Sequence, residues 1–232
     1  AVESMGLHAD MTAGLSLGEY CAIAVAGGMC DLDAIRTVRS RGIFMEHAAP
    51  EGSGAMSAVL GMDAAVIENV LNGREGVSIA NYNCPGQIVI TGEAAAVAEA
   101  GTALKEAGAR RVLPLKVSGP FHSPMMRPAG EELAKVFARV SMNPLKIPYV
   151  ANINAEVITD CGRIEGLLVE QVSGSVRWQQ SVETMIREWV DTFVEIGPGK
   201  TLTGFLRKID KNVKAYHIGS WEEAVQVCEE LK

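Results

Sequence analysis

The feature that most constrains the fold is the alternation of short apolar, strand-like runs with segments of helical periodicity. It begins near the amino terminus, where residues 10–14 are typical of a strand and residues 18–26 of a helix. Such alternation favours a parallel sheet covered by helices on both faces, because parallel strands need crossover connections. We therefore expect an α/β fold. Later helices are predicted at residues 129–140, 164–172, 182–190 and 202–209, and later strands at residues 147–153, 192–196 and 215–218.

The middle of the chain has a different order of elements. Strands are predicted at residues 55–60, 77–83, 87–91 and 111–117, and helices at residues 64–71 and 94–107. This β-α-β-β-α-β order is that of a ferredoxin-like unit. The loop at residues 50–54 (PEGSG) marks its start. We predict a large domain from residues 1–52 and 118–232, and an inserted ferredoxin-like small subdomain from residues 53–117.

Charge and hydropathy argue against two classes of partner. The formal net charge of −7 argues against nucleic acid, whose phosphates require clustered Lys and Arg. No basic run suggests a membrane-binding patch, and the longest apolar stretch, residues 20–30, is too short to span a bilayer. No signal peptide is visible. The five cysteines are odd in number and lack C-x-x-C pairs, which favours reduced thiols in the cytoplasm over a zinc site.

The sequence Gly14-Leu15-Ser16-Leu17-Gly18 matches G-x-S-x-G, the nucleophile elbow. A serine in such a strand-to-helix turn projects its hydroxyl at the carboxyl edge of the sheet. The main-chain N–H of Leu17 would then face a developing oxyanion. The motif alone leaves a purely structural turn equally open.

A serine nucleophile needs a base, and the chain has four histidines. His122 lies in a proline-flanked loop directly after the predicted subdomain, a common location for catalytic side chains. An ordinary loop histidine remains the alternative. His47 is better explained as a charge partner at a helix carboxyl terminus, and nothing suggests a role for His8 or His217.

Two further features concern anionic ligands. Arg41 lies at the edge of the apolar stripe of a helix, where its guanidinium could grip a carboxylate bidentately, although Arg36 and Arg39 on the same helix show that a solvated role is equally open. Residues 197–201 (GPGKT) end like a phosphate loop. That motif requires a glycine where Val194 stands, so we reject it.

Taken together, several stretches resemble the malonyl-CoA:acyl carrier protein transacylase family of fatty-acid synthesis. No single stretch is specific, but they occur in the family's order along the whole chain. The resemblance implies a parallel-sheet, α/β-hydrolase-like large domain with the inserted subdomain described above. The matching stretches are GLSLGEY (residues 14–20), RG (41–42), NYNCPG (81–86), VSGPFHSPM (117–125), QVSGSVRW (171–178) and FVEIGPGKT (193–201).

The resemblance implies specific roles for four residues. Ser16 is the nucleophile, His122 its base, and Arg41 the clamp on the malonyl carboxylate. The main-chain carbonyl of Gln171 orients the histidine, which suits the last turn of a helix, where carbonyls lack intrahelical partners.

It also implies substrate contacts. Asn81 and Asn83 would line the site from the small subdomain, although both could instead cap the turn at Pro85. Phe121 matches the form found in malonyl-selective members. The substrates implied are malonyl-CoA and the phosphopantetheine thiol of acyl carrier protein, with no metal or redox cofactor. We expect a cytoplasmic monomer.

Two departures from the family pattern are visible. Leu15 stands where the family usually has histidine. The family also opens with a glycine- and glutamine-rich motif that supplies a second oxyanion N–H, and this chain lacks it. Losing one such donor typically costs about 100- to 1,000-fold in rate. Three alternatives to a stand-alone transferase are open. One is an acyltransferase domain of a polyketide synthase, and another is a serine hydrolase, against which Arg41 and the missing charge-relay aspartate argue. The third, which follows from the missing motif, is a truncated fragment that binds carrier protein or coenzyme A without turnover.

Overall fold

The computed structural model describes residues 2–231, and the strands of this part of the chain form three sheets. Their strand orders are β1-β6-β7, β3-β4-β2-β5 and β8-β9. The strands are β1 (Thr12–Ala13), β2 (Gly54–Leu60), β3 (Val77–Cys84), β4 (Gln87–Glu93), β5 (Arg111–Pro114), β6 (Tyr149–Val150), β7 (Val157–Ile158), β8 (Thr192–Ile196) and β9 (Lys214–Ile218). The helices are α1 (Leu17–Val25), α2 (Asp31–His47), α3 (Ala64–Leu71), α4 (Ala94–Glu106), α5 (Arg127–Phe137), α6 (Ile164–Ser173), α7 (Trp178–Arg187), α8 (Thr201–Ile209) and α9 (Trp221–Glu230).

The middle of the chain forms the ferredoxin-like unit that the order of elements predicted. Strands β2 to β5 make one antiparallel sheet, in the order β3-β4-β2-β5, and α3 and α4 connect and cover them. Ile67 of α3 and Leu104 of α4 are fully buried against Val59 and Ile90 of the sheet. The subdomain therefore has a core of its own. The exact boundaries at residues 53 and 117 stay a prediction.

The rest of the chain provides the α/β part of the fold. β1 pairs in parallel with β6, and β8 pairs in parallel with β9, as the alternation predicted. The strands predicted at residues 10–14 and 147–153 form ladders of only two residues each. β7 was not predicted; it pairs antiparallel with β6 after a tight turn in which Ala155 has a φ of 57°.

A second element missing from the sequence prediction is α9. Ser220 caps it by accepting a hydrogen bond from the main-chain N–H of Glu223, which is one half of a capping box; the Glu223 carboxylate accepts from the main-chain N–H of Gly219. The S-x-x-E pattern at residues 220–223 was the available signal. None of the helices described is long and apolar enough to cross a membrane.

The small subdomain joins the large part of the fold along β3. Tyr82 N–H donates to the carbonyl of Val176, and Val176 N–H donates to the carbonyl of Ala80. The hydroxyl of Ser175 donates to the carbonyl of Ile79, and the Arg177 guanidinium lies 5.6 Å from the Tyr82 ring centroid. This junction begins only four residues after Gln171.

Candidate active site

Ser16 occupies a strained turn between β1 and α1. Its φ of 53° and ψ of −100° are rare for a residue with a side chain. A Cβ atom on Gly14 would lie 2.0 Å from the main-chain carbon of Gly18, so only glycine fits at position 14. A Cβ on Gly18 would contact nothing within 4 Å. The close approach therefore requires the first glycine of the motif and not the second.

The side chain of His122 lies directly beside the Ser16 hydroxyl. Nε2 of His122 is 2.8 Å from Oγ of Ser16, and Nδ1 is 2.9 Å from the main-chain oxygen of Gln171. Since a carbonyl can only accept, Nδ1 carries the proton and donates to Gln171, which leaves Nε2 free to accept from the serine. This is the arrangement expected of a serine nucleophile and its general base.

Burial determines the protonation of His122. His122 is 5% exposed, and burial, assisted by the positive charge of Arg41, lowers the pKa of His122 to about 4. The imidazole is therefore neutral near pH 7, as a general base must be. Its orienting carbonyl comes from the last turn of α6, the position that the sequence predicted for Gln171.

Arg41 of α2 reaches into the same site. Its Nη2 donates to Oγ of Ser16 over 2.9 Å and to Oε1 of Gln171 over 3.1 Å. Its guanidinium also lies 5.7 Å from the Tyr20 ring centroid, within range of a cation–π contact. Arg36 and Arg39, which the sequence could not distinguish from Arg41, are exposed.

Two polar residues of this site were not identified from the sequence. Oδ1 of Asn152 accepts from the main-chain N–H of Ser16 over 2.6 Å, and its Nδ2 donates to the carbonyl of Gly14 over 2.8 Å. Glu19 is 1% exposed, and its Oε2 accepts from Nε2 of Gln171 and from the main-chain N–H of Asn152. Burial raises the pKa of Glu19 to about 7, although hydrogen bonds from Gln171 and Asn152 oppose the change.

The main-chain N–H predicted to face an oxyanion is that of Leu17. The main-chain N–H of Leu17, the first residue of α1, makes no hydrogen bond to any other part of the described chain. It is adjacent to the nucleophile at a helix amino terminus, where partial positive charge accumulates. Leu15, the residue that departs from the family pattern, packs against the apolar cluster that contains Val150 and Val182.

The three residues predicted to contact substrate are not hydrogen-bonded to the centre of the site in the described part of the chain. Asn81 and Asn83 are buried on β3, but their side chains make no hydrogen bond to Ser16, His122 or Arg41 within residues 2–231. Phe121 packs both against the core of the large part and against a cluster of the small subdomain. Substrate contact by these three residues stays a prediction.

The other motifs serve the fold. His47 bonds the carbonyl of Ile43 within its own helix, and His217 bonds the carbonyl of Gly197. Glu195 accepts from the main-chain N–H groups of Leu202 and Thr203, which caps α8 after the GPGKT loop. In the described part of the chain, no group of three or more His, Cys, Asp or Glu side chains could hold a metal ion.

The chain is similar to proteins of one known family over nearly its whole length. The family model of the acyl transferase domain matches residues 1–227. The malonyl CoA-acyl carrier protein transacylase of Bacillus subtilis is 44% identical over 231 residues, which are 98% of this chain and 73% of the relative. This chain belongs to the malonyl CoA-acyl carrier protein transacylase family. The family's members are acyltransferases, and the resemblance inferred from sequence motifs is confirmed.

Other transacylases of the family give the same result. The Escherichia coli K12 transacylase is 45% identical over 202 residues, and those residues are 86% of this chain but only 65% of the relative. The chain thus spans about two thirds to three quarters of the length of these relatives. The Clostridium perfringens transacylase structure superposes with a TM-score of 0.95 at 38% identity, over 99% of this chain and 73% of that one. The predicted α/β-hydrolase-like fold with a ferredoxin-like subdomain is confirmed.

One transacylase structure includes a carrier. It contains a type II polyketide synthase acyl-carrier protein in complex with its malonyl-transacylase. Its TM-score is 0.92 at 38% identity, over 98% of this chain and 75% of that one.

Proposed function

We propose that this chain transfers a malonyl group from malonyl-CoA to the phosphopantetheine thiol of an acyl carrier protein, through a malonyl-serine intermediate. One observation carries the proposal: the Ser16 hydroxyl lies between a neutral, carbonyl-oriented His122 and a buried arginine, Arg41. A nucleophile–base pair supports acyl transfer, and the adjacent cation supports an acyl group that ends in a carboxylate.

The first half of the reaction acylates the serine. Nε2 of His122 takes the hydroxyl proton as Oγ of Ser16 attacks the thioester carbon of malonyl-CoA. The N–H of Leu17 stabilises the oxyanion. The carbon–sulfur bond then breaks, the protonated His122 returns its proton to the departing thiol of coenzyme A, and malonyl-Ser16 remains.

The second half releases the product. The phosphopantetheine thiol gives its proton to His122 and attacks the ester carbon. The ester bond breaks, and His122 returns the proton to Oγ of Ser16. Each step uses only a side chain or a main-chain group of this chain, so the reaction as written involves no metal or redox cofactor.

Arg41 supplies the preference for malonyl. Its Nη2 is within hydrogen-bond distance of the nucleophile, so the free carboxylate of a bound malonyl group can displace the contact with Ser16. A charge-assisted hydrogen bond of this kind contributes about 1.5–3 kcal/mol. Acetyl-CoA has no carboxylate and gains nothing from it.

The partner that we propose is an acyl carrier protein, which accepts the malonyl group. We propose that this chain itself is a cytoplasmic monomer. The names of the relatives and the carrier complex of one structural neighbour support this choice. Both a fatty-acid and a polyketide carrier present the same thiol. Transfer rates with each carrier would distinguish fatty-acid synthesis from polyketide synthesis.

The experiment that tests the proposal is intact-mass analysis after brief incubation with malonyl-CoA. We expect a malonyl adduct on the parent and no adduct on Ser16→Ala. Addition of holo carrier protein should then remove the adduct and yield malonyl-carrier. A folded parent that forms no adduct would overturn the proposal, and loss of the adduct to water at the same rate without carrier would favour a hydrolase.

A further inference from the structure

Glu19 is a buried carboxyl group that the proposed reaction does not use. It lies three residues after the nucleophile, in the first turn of α1, and is 1% exposed. Placing a carboxyl group in such an environment is unfavourable unless it makes specific hydrogen bonds. Its location and its contacts therefore suggest a role.

The contacts of Glu19 lead to two side chains that hold the nucleophile. Oε2 accepts from Nε2 of Gln171 over 2.8 Å and from the main-chain N–H of Asn152 over 3.2 Å. Gln171 in turn donates to the carbonyl of Ser16 over 2.9 Å, and Asn152 accepts from its N–H over 2.6 Å. Both peptide groups of the strained serine are thus held by residues that bind Glu19.

The same carboxyl group fixes which way the Gln171 amide points. Glu19 and the carbonyl of Ser16 are both acceptors, so the NH2 group of Gln171 must face them. Oε1 of Gln171 is then left to accept from Nη2 of Arg41. Turning the amide over would put two oxygens against each other and the NH2 group against the guanidinium.

We infer that Glu19 is a positioning residue that holds Ser16 and Arg41 in register through Asn152 and Gln171, an inference that rests on the proposed function. It touches neither substrate nor reacting atoms. It acts by accepting two hydrogen bonds at one oxygen, so an amide oxygen at the same position can do the same. Burial raises the pKa of this carboxyl group to about 7, so it is only partly ionised near neutral pH, and an uncharged amide is a fair substitute for it.

The test compares three substitutions in the full chain. Glu19→Gln keeps the length and the acceptor, Glu19→Asp keeps the charge but retracts the oxygens, and Glu19→Ala removes the acceptor. Ile23→Val creates a small cavity at the buried face of the same helix, and this variant controls for general loosening of the core. Rates are measured per folded molecule, so a loss of stability alone does not change them.

Two readouts separate this inference from the proposed function. The first is the rate at which phenylmethylsulfonyl fluoride modifies Ser16. The Oγ–S bond forms, the S–F bond breaks, fluoride leaves and the serine proton goes to His122. The second is the ratio of malonyl to acetyl adduct formed from the two CoA esters. Only the second readout requires the chain to use malonyl-CoA.

We expect Glu19→Gln to be within about threefold of the parent in the sulfonylation rate, and Glu19→Ala to be roughly tenfold slower or more, the scale of losing bonds to a carboxylate. Glu19→Asp should be slower than Glu19→Gln. The malonyl-to-acetyl ratio should fall in the alanine variant only.

Several results would overturn the inference. They are a parent that the reagent does not modify, an alanine variant as fast as Ile23→Val, and an aspartate variant faster than the glutamine variant. If Glu19→Ala fails to fold, the relative sulfonylation rates of Glu19→Gln and Glu19→Asp still test the inference. A parent that is sulfonylated but takes no malonyl group would refute the proposed function. The order of the sulfonylation rates would then still test whether Glu19 positions Ser16.

Discussion

Nη2 of Arg41 lies 2.9 Å from Oγ of Ser16 and donates a hydrogen bond to it in the unacylated protein. The serine hydroxyl can therefore accept from the arginine while it donates to Nε2 of His122. The cation that would bind the substrate carboxylate also orients the nucleophile before substrate arrives.

Arg41→Ala should lower malonyl transfer more than acetyl transfer. The malonyl-specific part of the loss should be about tenfold to a hundredfold, the value of one charge-assisted hydrogen bond. Single-turnover acylation with the two CoA esters measures it. Arg41→Lys, which keeps the charge but loses the fork geometry, serves as the control and should recover only part of the difference. Equal losses for both esters would refute the clamp.

The first and second glycines of the elbow should differ sharply in their tolerance of alanine. Gly14→Ala places a methyl group 2.0 Å from the main chain of Gly18, which forces the turn apart, so acylation of Ser16 should fall below detection. Gly18→Ala adds a methyl group where nothing lies within 4 Å and should leave acylation within about threefold. Intact-mass analysis and thermal melting compare the acylation and the stability of the two variants. Equal acylation and equal melting temperatures would contradict the predicted difference between the two glycines.

Asn152→Ala should slow acylation by roughly ten- to a hundredfold and destabilise the protein by about 1–3 kcal/mol, because it removes the side-chain partner of the partly buried N–H of Ser16 and of the buried carbonyl of Gly14. Acylation rates and denaturant unfolding measure the two effects. The matched control is Asn154→Ala, two residues away, whose side chain only accepts from the main-chain N–H of Glu156. If both variants behave alike, Asn152 does not hold the elbow.

On the acid side, the rate of Ser16 acylation should fall only as pH decreases through about 4. A free histidine titrates near pH 6.5, but burial and then the charge of Arg41 lower the pKa of His122 to about 4. Below that value the imidazole carries a proton on Nε2 and cannot accept the serine proton. Rapid pH-jump acylation from pH 3.5 to 7 measures the profile. A midpoint near 6.5 in the folded protein would refute a buried, neutral base.

The pH dependence of folding should show opposing contributions from Glu19 and His122. The pKa of Glu19 is raised from 4.5 to about 7, so its contribution to stability is present below pH 4.5 and is lost as pH rises through 7. The pKa of His122 is lowered from 6.5 to about 4, so its contribution is present above pH 6.5 and is lost as pH falls through 4.

Glu19→Gln removes one of these two contributions. The free energy of unfolding of the variant, relative to the parent, should therefore increase by a few kcal/mol as pH rises from about 4.5 to 7. Urea unfolding at several pH values tests this, with Ile23→Val as a control that should track the parent. A constant difference between Glu19→Gln and the parent would contradict the raised pKa.

Much of the fold follows from local pattern. The six elements of the subdomain were predicted in order because each has a clear period and turn residues at its ends. The bounds or the existence of β1, β6 and β7 were harder to predict, because strands of two residues are held by their neighbours and have little periodicity of their own. α9 was missed although its capping signal was present.

The candidate site divides in a similar way. Ser16 and His122 could be proposed from a motif and a loop position, and Gln171 was assigned by the family resemblance, with which its place in the last turn of a helix agrees. Glu19 and Asn152 could not, because their importance lies in bonds to residues distant in the chain. The geometry that brings them together is visible only in three dimensions.

The hydrogen bonds that surround Ser16 join residues far apart in sequence. Asn152 is 136 positions from Ser16, and Gln171 is 155 positions from it. Contacts with such long separations form late, because the entropy of closing a long loop must be overcome before they contribute. An incompletely folded chain would therefore lack a reactive serine. The fraction of molecules that carry an adduct at Ser16 would accordingly count those in which the serine turn has met Asn152 and Gln171.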